Sequence, residues 1–187
     1  MPLLPLEPFV FPEDLLSEPV AEGDVWMPWW VLHTRPRAEK ALARCLHGEQ
    51  LCFFLPLYKR QWRNRGRLFS SYLPLFPGYL FLRGDNQVRQ RVLDTNLVAN
   101  CLPVADQSQL TADLLNVYAL MVSGSPLSPE ERLQPGTLVE IVSGPLAGVK
   151  GKVLGRGKQL KFFVEVQFLQ QGVSVEIESW MFRTIKS

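Results

Sequence analysis

The sequence predicts an α+β protein of two domains, and three observations predict it. Across the first two thirds, the apolar pattern switches between strand and helix in the order βαββαβα, a succession that suits helices layered on an antiparallel sheet. Near the C-terminus, Leu160, Phe162, Val164, Val166 and Phe168 alternate with Lys161, Phe163, Glu165, Gln167 and Leu169. That is the period of a strand with one face in a core. Between the two, Ser123 to Pro135 (SGSPLSPEERLQP) has the composition of a linker.

Taken in order, residues 1–28 carry Pro2, Pro5, Pro8, Pro12, Pro19 and Pro28, a spacing that interrupts helices and central strands. They are expected to form an extended, mobile, acidic tail. The first domain, 29–123, opens on a β-prone run, Trp29 to His33, after which Thr34 stands as a helix cap and Pro36 in the first turn. In that helix Ala38, Ala41, Leu42, Cys45 and Leu46 fall on one face and point inward. Glu39, Lys40, Arg44 and His47 lie opposite, and Gly48 is the stop. Cys52 to Tyr58 and Tyr79 to Arg83 read as strands separated by a basic excursion. Asp85 caps a short helix through Leu93, and Leu97 to Leu102 is β-prone. Thr111 caps a last helix with Leu114, Leu115, Tyr118, Met121 and Val122 inward. The succession fits a ferredoxin-like layer.

After a linker at 124–135, the second domain, 136–187, begins with two strands supplied by Val139, Ile141, Val149 and Val153. The alternating strand follows, then Val173, Val175 and Ile177 against Ser174, Glu176 and Glu178. Turns fall at Gly144-Pro145, Gly155-Arg156-Gly157 and Gln171-Gly172. Short strands with Gly-rich turns describe a small β-barrel. So small a domain buries only ~60% of its unfolded surface and gains little stability alone.

With 47% hydrophobic and 20% charged residues over 187 positions, the chain can bury a core. No run approaches the ~18 apolar residues of a membrane span, and the N-terminus lacks the pattern of a signal peptide, so a cytoplasmic address is expected. Cys45, Cys52 and Cys101 form an odd set with no CxxC pair. They read as small buried apolar residues, and no disulfide, metal site or cofactor is expected. Nothing places a base beside a thiol, so an enzyme using Cys45 or Cys101 with His33 or His47 is disfavoured. The net charge of +2 conceals an asymmetry: residues 1–25 hold six acids and no base, while the rest holds 20 bases against 12 acids. That excess leans toward an anionic partner.

Two stretches carry a family resemblance. Leu75 to Leu82 reads LFPGYLFL, and Val139 to Val153 reads VEIVSGPLAGVKGKV. The first resembles the N-terminal domain signature of the NusG family of bacterial transcription elongation factors. The second resembles a KOW motif, with Gly144-Pro145, Gly148 and Gly151 in the expected relation. WWVLHTRP and its helix are similar to the family's opening, so the resemblance covers residues 29–187 and leaves the tail outside. It implies a ferredoxin-like N-terminal domain and an SH3-like KOW barrel in a non-enzymatic, monomeric factor. Such a factor binds the clamp helices of RNA polymerase, reduces pausing, and recruits a ribosomal protein or the termination factor Rho through its barrel. By position, the implied polymerase contacts are Val31, His33, Leu75, Phe76, Pro77 and Tyr79, with an aromatic residue common in relatives where His33 stands. Phe76 and Tyr79 offer large area at small entropic cost; the alternative is that they pack inside. On the barrel, Phe163 and Leu169 fall on the outward parity, and the resemblance implies a partner contact at the loop of Leu169. RfaH-like members hold this domain as a helical hairpin, but the alternation from Leu160 to Phe168 predicts strands here.

Between Glu49 and Asp85 the sequence has no acidic residue, while Lys59, Arg60, Arg63, Arg65 and Arg67 crowd together around Trp62. A hairpin tip of this kind meets phosphates through guanidinium forks, with Trp62 stacking on a base or supporting the hairpin. The alternative is a solvated charged loop. The resemblance places this hairpin near upstream DNA and so favours a DNA contact at the transcription bubble. Arg35 and Arg37, with Lys40 and Arg44 beside them, are weaker candidates. A competing reading, a ribosome-associated KOW-type RNA-binding protein, accounts for the basic hairpin but not for FPGY.

Overall fold

A computed structural model describes residues 6–16, 27–131, 136–156, 159–178 and 181–185. Its elements fall into two units, Met1–Gln107 and Ser108–Ser187. The first contains β1 (Val10–Phe11), β2 (Trp29–Thr34), α1 (Glu39–Gly48), β3 (Cys52–Phe54), β4 (Leu57–Asn64), β5 (Arg67–Pro74), β6 (Tyr79–Arg83), α2 (Asn86–Leu93) and β7 (Val98–Pro103). Five strands form one sheet in the order β1-β3-β6-β2-β7, with every neighbouring pair antiparallel. Leu32, Phe53, Leu80 and Leu82 project from one sheet face and pack with Leu42, Ala43 and Leu46 of α1 and Val92 of α2. The opposite parity, Val31, Phe54 and Phe81, is buried as well, which makes β2 and β6 apolar along nearly their whole length. Asp85 caps α2 as its sequence predicts, its carboxylate accepting from the Val88 N–H at 2.8 Å.

Several expectations are corrected. Residues 6–16 are not a loose tail: Val10 and Phe11 pair with Phe54 and Phe53, and Leu16 is buried. Phe9 and Phe11 pack on the core. Proline is tolerated on an edge strand, and Pro8 and Pro12 merely bracket the short pairing. The acidic positions Glu18, Glu22 and Asp24, and Pro2, Pro5 and Pro19, lie outside the described residues. Thr34 ends β2 instead of capping α1, whose N-cap is Ala38 without a side-chain bond. The inward face of α1 is Ala38, Glu39, Leu42, Ala43 and Leu46, with Ala41 and Cys45 half-buried, so the helix is rotated on the sheet relative to the face its apolar pattern marks. Cys52 to Tyr58 is two strands interrupted at Leu55-Pro56.

The second unit opens with α3 (Gln107–Val122), so Thr111 lies inside the helix. Its buried residues are Leu110, Asp113, Leu114, Val117 and Leu120, while Leu115 and Val122 are exposed. Then follow β8 (Ser128–Glu130), β9 (Thr137–Ile141), β10 (Lys150–Arg156), β11 (Gln159–Val166), a 3-10 turn (Gln167–Leu169), β12 (Gln171–Ile177) and β13 (Phe182–Thr184). They make one antiparallel sheet ordered β13-β9-β10-β11-β12-β8. Strand β8 arises within the stretch read as linker, of which 132–135 lie outside the described residues, as does Gly157 of the β10–β11 turn. Alternation in β11 stops at Val166, where the 3-10 turn begins, and Phe168 is exposed. Phe163, expected on the outward parity, is buried. A Cβ on Gly172 would meet its ring at 2.7 Å, so the missing side chain in β12 opens the space that Phe163 fills. Asp113 of α3 is buried and accepts from the Gln167 N–H at 2.9 Å and the Gln109 amide at 2.7 Å.

Candidate functional site

Phe76 to Tyr79 forms a tight turn in which the Tyr79 N–H donates to the Phe76 carbonyl at 3.1 Å. Proline in the second place fixes φ, and Gly78 in the third adopts φ 84°, the left-handed region that a type II turn demands there. Three bonds from outside hold it. The Gly78 N–H donates to Oε1 of Glu39 at 2.7 Å, the Gly78 carbonyl accepts from the Thr34 N–H at 2.8 Å, and the Leu75 N–H donates to the Pro56 carbonyl at 2.8 Å. Glu39 is only 8% exposed. A charged acceptor on a main-chain N–H makes a short, strong bond, so the first turn of α1 fixes the geometry of the FPGY segment. The apolar periodicity of α1 puts Glu39 on its outer face, whereas the structure buries it. The available signal was an acid in the first helical turn, which pattern alone assigns to the helix dipole.

The turn sorts the six candidate contacts into two groups. Val31, Leu75 and Phe76 are buried, at 0%, 1% and 1% exposure, and Phe76 meets Phe81 edge-on at 6.3 Å. His33 and Pro77 are exposed and Tyr79 is half-buried. His33 and Tyr79 stand opposite each other in register, with ring centroids 5.2 Å apart. Together His33, Pro77 and Tyr79 make a small, rigid, semi-aromatic surface at the end of β2. Arg35 and Arg37 are exposed just beyond it, and the Arg35 N–H is tied to the Leu97 carbonyl at 2.9 Å.

From the same anchorage rises a two-stranded ribbon, β4 paired with β5 from Leu57↔Pro74 to Asn64↔Arg67. Its tip is Arg65-Gly66, with φ 48° and 78°, the two positive values of a type I′ turn that matches strand twist. Every residue from Lys59 to Phe69 is exposed, including Arg60, Trp62, Arg63, Arg65 and Arg67. Trp62 and Phe69 face each other across the strands as a near-parallel pair, centroids 5.8 Å apart and planes 18° from parallel. Among the described residues no carboxylate pairs with any of the five hairpin cations. Their charge is therefore presented to solvent.

Elsewhere, of the two barrel candidates, Phe163 is buried and Leu169 is half-buried in the 3-10 turn before Gln170, whose φ is 55°. The three cysteines are free and half-buried instead of fully buried. Burial raises the pKa of each thiol. At Cys45 the Glu49 carboxylate raises it further, whereas Arg83 opposes the rise at Cys52 and Arg89 opposes it at Cys101. Thiols held protonated are poor nucleophiles. Among the described residues no cluster of three His, Cys, Asp or Glu side chains could hold a metal ion, and no helix is long and apolar enough to cross a membrane.

Residues 27–113 match the family model described as "Transcription termination factor nusG". A comparison with curated proteins finds no match. The matched stretch runs from just before β2 into the first half of α3. It thus contains the Glu39-clamped turn, the His33–Tyr79 pair and the whole basic ribbon, and leaves out β1 and the C-terminal sheet. Over the domain that these residues build, the chain is similar to the NusG family of transcription factors.

Proposed function

We propose that the protein is a transcription elongation and antitermination factor that docks on the clamp helices of RNA polymerase through its N-terminal domain and reduces pausing. The observation that carries this reading is the coincidence of the family match with a built docking element. The FPGY turn is held by a buried carboxylate and displays His33, Pro77 and Tyr79. Leu75, Phe76 and Val31 serve as the buried backing that keeps the surface rigid, which lowers the ordering cost of binding. In this reading residues 29–123 act as a ferredoxin-like domain, and the strand order β3-β6-β2-β7 supports it. Residues 124–135 connect it to an SH3-like KOW barrel, 136–187, which recruits a ribosomal protein or Rho with Leu169 at its contact edge. The exposed cations Arg35, Arg37, Lys59, Arg60, Arg63, Arg65 and Arg67, with Trp62, meet nucleic acid beside the polymerase. Suppression of pausing follows if the factor binds the elongating conformation more tightly than the paused one.

The test is retention of polymerase from nuclease-treated lysate, followed by a pausing assay with purified polymerase. Wild-type protein retains polymerase subunits and shortens pauses, and His33→Ala and Tyr79→Ala lose both without unfolding. Phe76→Ala is a stability control, since emptying a buried aromatic site costs about 3–5 kcal/mol whatever its partner. Ribosomal subunits retained without polymerase would overturn the reading.

A further inference from the structure

The basic ribbon has two unlike faces. Cross-strand partners point to the same side, so the register puts Arg60, Trp62, Asn64, Arg67, Phe69 and Ser71 on one face. Lys59, Gln61, Arg63, Leu68, Ser70 and Tyr72 take the other. On the first face the Trp62–Phe69 pair sits between Arg60 toward the base and Arg67 toward the tip. Each of its rings turns one side to the other ring and keeps about two fifths of its surface exposed, 43% and 41%. We propose that this face binds a single strand of nucleic acid, one unpaired base stacking on the Trp62–Phe69 pair while Arg60 and Arg67 take the flanking phosphates.

Charge and geometry together select this occupant. Five cations without a carboxylate partner among the described residues attract a polyanion of any form. An exposed π-surface between two guanidinium groups adds something a duplex cannot use, because paired bases already stack on one another and hide their faces. Stacking also tolerates every base and either sugar, so the aromatic pair itself reads no sequence. The inference rests on the reading that the hairpin meets nucleic acid, and it names the form of nucleic acid that it meets.

Fluorescence anisotropy with the full chain tests it, using four labelled probes of equal length: oligothymidylate, oligouridylate, an abasic backbone strand, and a duplex. Oligothymidylate and oligouridylate are expected to bind alike, and the abasic strand about fivefold or more weakly, the loss of one stacked base. The duplex is expected to bind more weakly than the unpaired strands once its higher charge is screened by salt. Trp62→Ala should bring oligothymidylate down to the abasic level, whereas Trp62→Phe, which keeps a ring, retains most of the binding. Arg60→Gln and Arg67→Gln should weaken every probe and flatten the salt dependence by about 0.7 in log–log slope for each phosphate no longer neutralised on a single strand. Because Trp62 is exposed, unchanged thermal melting certifies the variants as folded. An abasic strand bound as tightly as oligothymidylate, or arginine-dependent binding that ignores Trp62→Ala, would overturn the stacking site while leaving a charged hairpin. If no probe bound in an arginine-dependent way, and the hairpin variants instead lost polymerase, the ribbon would be a protein-facing surface and the nucleic-acid reading would fall with it.

Discussion

Replacing Glu39 by alanine removes a side chain of α1 that hydrogen-bonds the FPGY turn. The hydrogen bond it makes there is charge-assisted and 2.7 Å long, its acceptor buried and its donor, the Gly78 N–H, on a half-buried glycine. Hydrogen bonds to charged groups contribute about 1.5–3 kcal/mol. Since the half-buried N–H regains some water, the lower part of that range, about 1.5–2 kcal/mol, applies here. For a chain of this size each kcal/mol moves the midpoint by about 2–4 °C, so Glu39→Ala should melt about 3–8 °C below wild type. Glu39→Gln keeps an acceptor oxygen without the charge and should recover roughly half of the loss. Thermal unfolding followed by circular dichroism gives both numbers, and polymerase retention should fall in the same order, because the turn that carries Tyr79 and abuts His33 loses its brace. An alanine variant that melts with wild type, within about 1 °C, would refute the claim that this carboxylate holds the turn.

Three further outcomes follow from the geometry. Gly151→Ala should unfold the C-terminal sheet while sparing the first unit, since a Cβ there would lie 2.5 Å from the Phe163 carbonyl and 2.7 Å from the Phe162 ring; the near-ultraviolet signal of the full chain would show a separate, lower transition. Cys45, Cys52 and Cys101 should alkylate slowly at pH 8, as their thiols are held protonated, and Glu49→Gln should speed Cys45 alone; mapping of iodoacetamide adducts by mass spectrometry measures it. Glu140 sits on β9 against Arg183 of β13, whose hydrogen bond at 2.7 Å, partly offset by burial, draws the carboxyl below its ordinary value. A lowered folded pKa means that the stabilisation is present above the unfolded pKa and is lost as pH falls through the folded one. The difference in β13 amide exchange between wild type and Glu140→Gln should therefore be present at neutral pH and vanish in acid below the carboxylate range.

How much of this was legible in sequence depended on whether one signal or two competed at a position. Asp85 was readable because an Asp before a short helix has one strong use, and the structure gives it that use. That β11 is a strand was readable up to Val166 for the same reason. Thr34 misled because a β-branched residue with a hydroxyl suits both a strand end and a cap, and pairing with Val98 decided in favour of the strand. Phe163 misled because strand parity assumes one wet face, whereas a glycine on the neighbouring strand made room for a ring on the other face too. Residues 6–16 misled because proline spacing outweighed Phe9, Phe11 and Leu16, and which edge of the sheet stands open is not written locally. Glu39 could not have been found by periodicity, since its partner is a main-chain N–H 39 residues away.

The LFPGY stretch illustrates how one short motif carries two physical tasks without conflict. Leu75 and Phe76 turn their side chains inward, and Phe76 locks against Phe81 on the strand that follows. Pro77 and Gly78 reverse the chain, and Tyr79 reaches the surface beside His33 at the start of the next strand. A turn whose apolar residues all faced solvent would offer more sticky area but would need ordering on binding, at about 0.5–1.5 kcal/mol for each side chain immobilised. By burying two of its members to fix the rest, the motif trades area for preorganisation. Substitutions at Leu75 and Phe76 should consequently register first as lost stability, and those at His33 and Tyr79 as lost binding with stability intact. The two classes would merge only if the buried pair swung outward to meet the partner, a rearrangement that the Phe76–Phe81 packing and the bonds at Leu75 and Gly78 all oppose.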